Sequence, residues 1–316
     1  MSEPLTLDRA PSGAEVRQSS GLRRYLDDTF KYWAILPTVL ILVVFTLYPV
    51  FQLLRMSVSD IQFVDAKLQW TFVGMKWAQT ALNDPVVPDA FRNTLVFVVV
   101  VVVVESLLGL VLAFAVSRTH RMAPFYRAVL LIPLLIPPIA IGTIWRMMYD
   151  YNFGVINRVL AAFGIVGPTW LADPNLAFPA IWVVDFWHWT SFIFLIMLAG
   201  VESLPQDLFE AGRVDGASDF QVYRYIMLPL MRPTIIVAMM LRTIFAFKVF
   251  DQIYLLTNGG PGTTTEVISL YIYKVFFGQF RMGYGAFLAL VLALLISVFV
   301  TVYRVINARL AEESAV

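Results

Sequence analysis

The 316-residue chain has no cysteine and only two histidines, His120 and His188. Disulfides, thiolate metal sites and cysteine nucleophiles are therefore excluded, and two imidazoles are too few for a histidine-based metal site. Charge is scarce as well. Asp, Glu, Lys and Arg make up 14% of the residues, against about 25% in a soluble domain. The net charge is +1, so the chain lacks the basic excess that nucleic-acid binding requires. No G-x4-GK[ST] phosphate loop occurs, and no repeat of fixed period is visible.

What the chain has in abundance is apolar residues, at 59%, with a mean hydropathy of +0.75. This composition marks an integral membrane protein. A span needs about 20 mostly apolar residues to cross roughly 30 Å of hydrocarbon. Six segments qualify: 33–54, 94–116 with its valine run over 98–104, 128–148, 177–201, 234–256 and 284–306. The third is interrupted by Pro133, Pro137 and Pro138, which remove helix hydrogen bonds and predict a kink or break. The expected fold is an all-α membrane protein of six transmembrane helices.

Residues 1–31 are polar and read as a cytoplasmic tail, and residues 32–316 as one membrane domain. A cleaved signal peptide does not fit, because the first apolar segment starts late and is long enough to span. Arg17, Arg23, Arg24 and Lys31 precede the first span, and Arg118, Arg121 and Arg127 crowd the second connection. Arg213, Arg224 and Arg232 lie before the fifth span, and Arg304 and Arg309 follow the last. The positive-inside rule makes all four regions cytoplasmic, with both termini inside. The outer connections, 55–93, 149–176 and 257–283, mix aromatics with Asp, Asn, Gly and Pro, and are expected to fold against one another or a partner.

The loop over 202–233 is polar between two apolar segments, and from Glu210 it reads EAGRVDGASDFQVYRYIMLPLMRP. Ser203 and Gln206 have the spacing of a capping box, which predicts a helix over 204–214. Gly216 tolerates positive φ, and Ser218 or Asp219 restarts a helix that Pro229 and Pro233 end.

This loop resembles the coupling loop of binding-protein-dependent ABC importer permeases, EAA-x3-G-x9-I-x-LP. Glu210 and Ala211 open the pattern, Gly216 keeps its spacing, and Ile226, Leu228 and Pro229 close it, with Gly212 in place of the third-position alanine. Residues 250–273, FDQIYLLTNGGPGTTTEVISLYIY, look like the maltose-type carbohydrate branch, which shares LLTNGGP. The resemblance covers about 33–310 and implies the transmembrane subunit of a type I ABC importer with a cytoplasmic coupling helix. Its docking residues would be Glu210, Ala211, Gly212, Asp215, Gly216, Ile226, Leu228 and Pro229. Small Ala211 and Gly212 would admit the partner's surface, and Glu210 would meet a cation. The implied partners are a second homologous permease, two ATP-binding-cassette subunits carrying ATP and Mg, and a periplasmic or lipid-anchored solute-binding protein. The implied location is the bacterial inner membrane, with no cofactor on this chain and membrane lipid around it.

Glu105, Asp185, Arg242, Lys248 and Asp251 fall inside the expected spans. Each costs about 2.5–3.5 kcal/mol at mid-bilayer, so each should face protein or water. Lys248 and Asp251 are three residues apart on one expected helix face, either a structural ion pair or substrate contacts. Sugars stack on aromatic rings and hydrogen-bond to carboxylates, amides and cations. Asp185, Trp187 and Trp189 on the fourth span fit that chemistry, as do Phe245, Phe247, Lys248, Asp251, Gln252 and Tyr254 on the fifth. The competing reading is ordinary membrane filler, with Trp and Tyr at the interfaces. The resemblance places a mid-membrane sugar site on these two helices, aligning Phe245, Ala246 and Val249 with it. The cargo is then a sugar or polyol, with a non-sugar such as glycerol phosphate as the alternative. An ion-coupled secondary transporter using Glu105, Asp185 and Asp251 would need paired inverted repeats, and a membrane-embedded enzyme would need converging catalytic groups. The sequence displays neither.

Overall fold

The computed structural model describes residues 21–313 apart from Ala66, His120 and Gln206, so the first 20 residues of the expected tail lie outside the described residues. The chain divides into two units, one ending at Gln52 and the other starting at Leu53. Helix α1, Gly21–Ser57, begins within the segment expected to be a tail and contains Pro37 and Pro49. Its stretch Ala34–Ser57 is long and apolar enough to span a membrane.

The second unit opens with an antiparallel hairpin of β1, Ser59–Val64, and β2, Lys67–Phe72, registered with Ser59 opposite Phe72. A short α2, Lys76–Asn83, leads into α3, Val86–Ser117. The valine run inside α3 is helical despite its β propensity, because a lone segment in hydrocarbon can satisfy its backbone only as a helix. The bent pair α4, Ala123–Leu135, and α5, Pro138–Met148, meets at 92°. Then come α6, Val155–Ala162, and α7, Ala177–Glu202. The expected coupling loop holds α8, Asp207–Val214, and α9, Asp219–Val222. A π-helical turn, Tyr223–Met227, joins α9 to α10, Leu228–Phe247. The last elements are α11, Asp251–Leu256, α12, Ile268–Tyr273, a second π turn at Lys274–Gly278, and α13, Met282–Glu313. Among the described residues five helices are long and apolar enough to cross a membrane, or six if the bent α4–α5 pair counts as one span.

α3 and α7 lie along each other, flanked by α4 and α10, with α13 on α10. Phe97, Val101, Ile181, Val184 and Phe247 fill one end of this core, and Ala113, Ile193, Phe194, Met197 and Met231 the other.

The fifth span departs from expectation. It was read as one helix over 234–256, yet α10 stops at Phe247 and the chain bends through Lys248, Val249 and Phe250 before α11. Nor do Pro229 and Pro233 end a helix: Pro229 sits in the first turn of α10 and Pro233 inside it. The π turn runs directly into α10, so both prolines lie within one helical run, where local π geometry and neighbouring groups satisfy the freed carbonyls.

The outer connections fold on one another. The Asn93 amide donates to the carbonyls of Thr263 and Glu266, each at 2.9 Å, and Thr94 Oγ1 accepts from the Ile268 N–H at 2.9 Å. Asp84 accepts from the Tyr271 hydroxyl at 2.6 Å and the Tyr284 hydroxyl at 2.8 Å. Burial opposes ionisation of Asp84, but these phenols, the Val86 N–H and nearby Arg281 outweigh it and hold the carboxyl below its ordinary range.

Candidate functional site

Both helix breaks meet at one cavity of ≈ 140 Å³. Its walls are Pro138 from the first break, Lys248, Val249 and Phe250 from the second, Asp185, His188 and Trp189 from α7, Arg242 and Phe245 from α10, and Asp251 and Gln252 from α11. Six residues expected on a substrate path thus converge: Asp185, Trp189, Phe245, Lys248, Asp251 and Gln252. Trp189 and Phe245 stack with centroids 5.1 Å apart. The Lys248 ammonium lies 5.3 Å from the Phe245 ring centre. Gln252 Nε2 and His188 Nδ1 are 3.4 Å apart.

Three expected residues lie elsewhere. Phe247 is fully buried against Phe299 at 5.0 Å, because two positions along a helix turn a side chain from the Phe245 face toward the opposite one. Trp187 points away from Asp185 and Trp189 for the same reason, and packs edge-on to Trp145 at 5.7 Å. Tyr254 stacks on Phe250 at 5.3 Å, outside the cavity. Of the positions aligned by resemblance, Val249 lines the cavity and Ala246 is buried in the core.

Of the two readings of Lys248 and Asp251, the mutual ion pair does not form; another ion-pair cluster stands nearby. The helix break takes these residues off a common turn, and no ion pair between them occurs among the described residues. Arg242 instead binds Glu105 from α3 and Asp185 from α7, all three at most 1% exposed. The Arg242 guanidinium also sits 4.7 Å from the Trp189 ring centre. The sequence signals only that an arginine deep in a span needs a carboxylate; which of Glu105, Asp185 and Asp251 it meets is decided by the packing of α3, α7 and α10.

At the far end of α7, the loop forms a helical turn. The Ser203 hydroxyl donates back to the Gly200 carbonyl at 2.7 Å, and its expected capping partner Gln206 lies outside the described residues. The working box is Ser218–Gln221, with Gln221 Oε1 accepting from the Ser218 N–H at 2.7 Å and the Ser218 hydroxyl accepting from the Gln221 N–H at 3.4 Å. Gly216 takes φ +81°, the left-handed value its position required. Glu210, Ala211 and Asp215 are exposed, as are the apolar Val214, Phe220 and Tyr225. Gly212 differs from expectation: it is buried, and a Cβ there would stand 3.0 Å from Ile226 Cδ1. Its smallness serves the chain's own α8–π-turn packing. Asp215, Gly216 and Ile226 border a shallow outer cleft, and Leu228 and Pro229 begin α10. Arg118 pairs with Asp219 at 2.5 Å, tying this turn to the end of α3.

The model of the family "binding-protein-dependent transport system inner membrane component" matches residues 105–312, the span holding both the buried triad and the helical turn. The chain belongs to that family. This permease is 36% identical over 281 residues to the trehalose/maltose transport system permease protein MalF of Thermococcus litoralis, covering 89% of this chain and 94% of that protein. It is 34% identical over 290 residues to the sulfoquinovosyl glycerol transport system permease protein SmoG of Agrobacterium fabrum, covering 90% and 94%. Among solved structures, a chain of a bacterial ABC transporter that imports the acidic polysaccharide alginate shares the fold, with TM-score 0.78, 23% identity, and 92% and 99% coverage. The permease is thus a multi-pass inner-membrane component of a binding-protein-dependent ABC importer. Membership decides against the ion-coupled secondary transporter.

Proposed function

We propose that this permease is one of two membrane subunits of an ATP-driven importer whose cargo is a sugar or related polyol. The observation that carries the reading is the exposed α8–α9 turn, which bears the Glu210 to Pro229 pattern and is joined to α3 through Arg118–Asp219. A rigid, solvent-facing helical turn at the end of a transmembrane bundle suits docking by a motor subunit. The relatives' names support a sugar cargo, and so does a cavity pairing a Trp–Phe stack with carboxylate, amide and cation. Two ATP-binding-cassette subunits would carry ATP and Mg, a second homologous permease would complete the pathway, and a periplasmic or lipid-anchored binding protein would deliver the cargo. The arginines around this turn and in the α3–α4 connection favour the cytoplasmic side for both, with both termini inside.

Affinity purification of the tagged chain in mild detergent should recover a phosphate-loop ATPase and a second permease. In the reconstituted complex, Gly216→Pro and Glu210→Arg should leave the permease in the membrane while ATP-driven uptake falls at least about tenfold. Unchanged uptake in both variants would remove the docking role.

A further inference from the structure

Two carboxyl groups and one guanidinium are sealed together between α3, α7 and α10. The side chains of Glu105, Asp185 and Arg242 are at most 1% exposed, so with both acids ionised the cluster would carry one negative charge too many. Lys248 and Asp251 face the neighbouring cavity, but both are exposed and opposite in sign, and neither forms an ion pair with the cluster among the described residues. His188, the remaining titratable group on the cavity wall, has Nδ1 3.4 Å from Gln252 Nε2. Among the described residues no group of acidic and histidine side chains could hold a metal ion. An uncompensated charge closed off from water is costly, and a carboxylate so placed takes up a proton instead.

The hydrogen bonds locate that proton. Glu105 meets Arg242 with both oxygens, Oε2 accepting from Nε and Oε1 from a terminal nitrogen at 3.2 Å. This two-pronged geometry is the strongest a carboxylate can make with a guanidinium, and it favours the ionised form of Glu105. Asp185 uses only Oδ2, toward the same terminal nitrogen, and its Oδ1 has no hydrogen-bond partner among the described residues. The Oε1 carbonyl of Gln252, a residue 4% exposed on the same cavity wall, has none either. Outside donors would satisfy these oxygens without cancelling the charge. A proton on Oδ1 cancels the charge and turns one of two bare acceptors into a donor.

We infer that Asp185 is a proton-binding site: it carries a proton on Oδ1, leaves Glu105 and Arg242 as the ionised pair of the cluster, and shows the cavity a hydrogen-bond donor in place of a charge. Glu105 is the positioning residue, because by claiming the guanidinium it obliges Asp185 to stay neutral. The inference does not depend on the cargo, so failure of the sugar reading would leave it standing.

The test is infrared spectroscopy of the purified complete complex in an ester-free detergent at about pH 8, well above the ordinary carboxylate range. A carboxylic-acid C=O band should remain, should shift down in heavy water, and should disappear in Asp185→Asn. Carbon-13 in the side-chain carboxyl of aspartate should move that band, whereas labelled glutamate should not. Glu105→Gln should abolish it as well, because Asp185 then has Arg242 to itself and ionises. Asp251→Asn should leave it in place. The inference is overturned if the unaltered complex has no such band, or if the band survives Asp185→Asn or Glu105→Gln. A band that moves with labelled glutamate would put the proton on Glu105 and overturn the assignment to Asp185. The labelling needs no substitution, so it decides the matter even where a variant fails to assemble.

Discussion

The two helix breaks that frame the cavity have different origins. The first, between α4 and α5, is written in the covalent chain. Pro137 forces Ile136 out of the helical region, to ψ 128°, and Pro138 does the same to Pro137, at ψ 138°. The second, between α10 and α11, falls in the sequence FAFKVFD, which has neither proline nor glycine. There the break depends on tertiary partners. The Val249 carbonyl, left without a helix donor, accepts from the Ser269 hydroxyl, and α11 leans on α5. Gly142 of α5 meets the Leu255 side chain so closely that a Cβ would stand 2.7 Å from its Cδ1, and Arg146 donates to the Leu255 carbonyl at 3.2 Å. A break encoded locally therefore serves as the template on which a break without local encoding is held. Proline makes the first permanent, whereas packing makes the second conditional.

The conditional break is most vulnerable where α5 meets α11, at Gly142 and Leu255. Gly142→Leu should push α11 off α5 and destabilise the assembled complex by about 1–3 kcal/mol, the usual effect of overpacking. Thermal unfolding in detergent would register it, and sugar uptake should fall in parallel. Ser269→Ala removes only the hydroxyl that satisfies the Val249 carbonyl. Its expected effect is about 1 kcal/mol, visible as faster amide exchange over residues 247–252, with α4 and α5 unaffected. Pro137→Ala should do least, within about 0.5 kcal/mol, because Pro138 still keeps residue 137 extended. If Pro137→Ala instead straightens the third span, accessibility of cysteines introduced over 134–139 would reveal it, and Pro137 and Pro138 would not be redundant.

The same contrast explains what could be read in the sequence. Spans defined by apolar length were legible, and so was the break signalled by Pro133, Pro137 and Pro138. Gly216 and the restart at Ser218 were legible because turn chemistry is local. The break at Lys248–Phe250 was not, since the groups that hold it, Ser269 and Gly142, lie in other elements. Misreading that one helix placed Lys248 and Asp251 on a shared face, whereas Phe247 was misplaced by helical rotation within α10 itself. The Arg242 triad was hidden for a related reason. Each charge was visible alone, but which carboxylates meet the guanidinium depends on how α3, α7 and α10 pack. Gly212 shows the reverse error, a small residue assigned to an outside surface when its own chain fills the space.

The triad also bears on how the polypeptide enters the bilayer. Glu105, Asp185 and Arg242 are synthesised in that order on three separate spans, so the first acid must insert long before its cation exists. A lone acid at mid-helix opposes insertion by about 2.5–3.5 kcal/mol, whereas each valine favours it by about 0.3–0.6 kcal/mol. The seven consecutive valines from 98 to 104 that immediately precede Glu105 together supply roughly the opposing amount. The valine run, three members of which also sit in the finished core, is thus what lets α3 cross the membrane and wait for its partner.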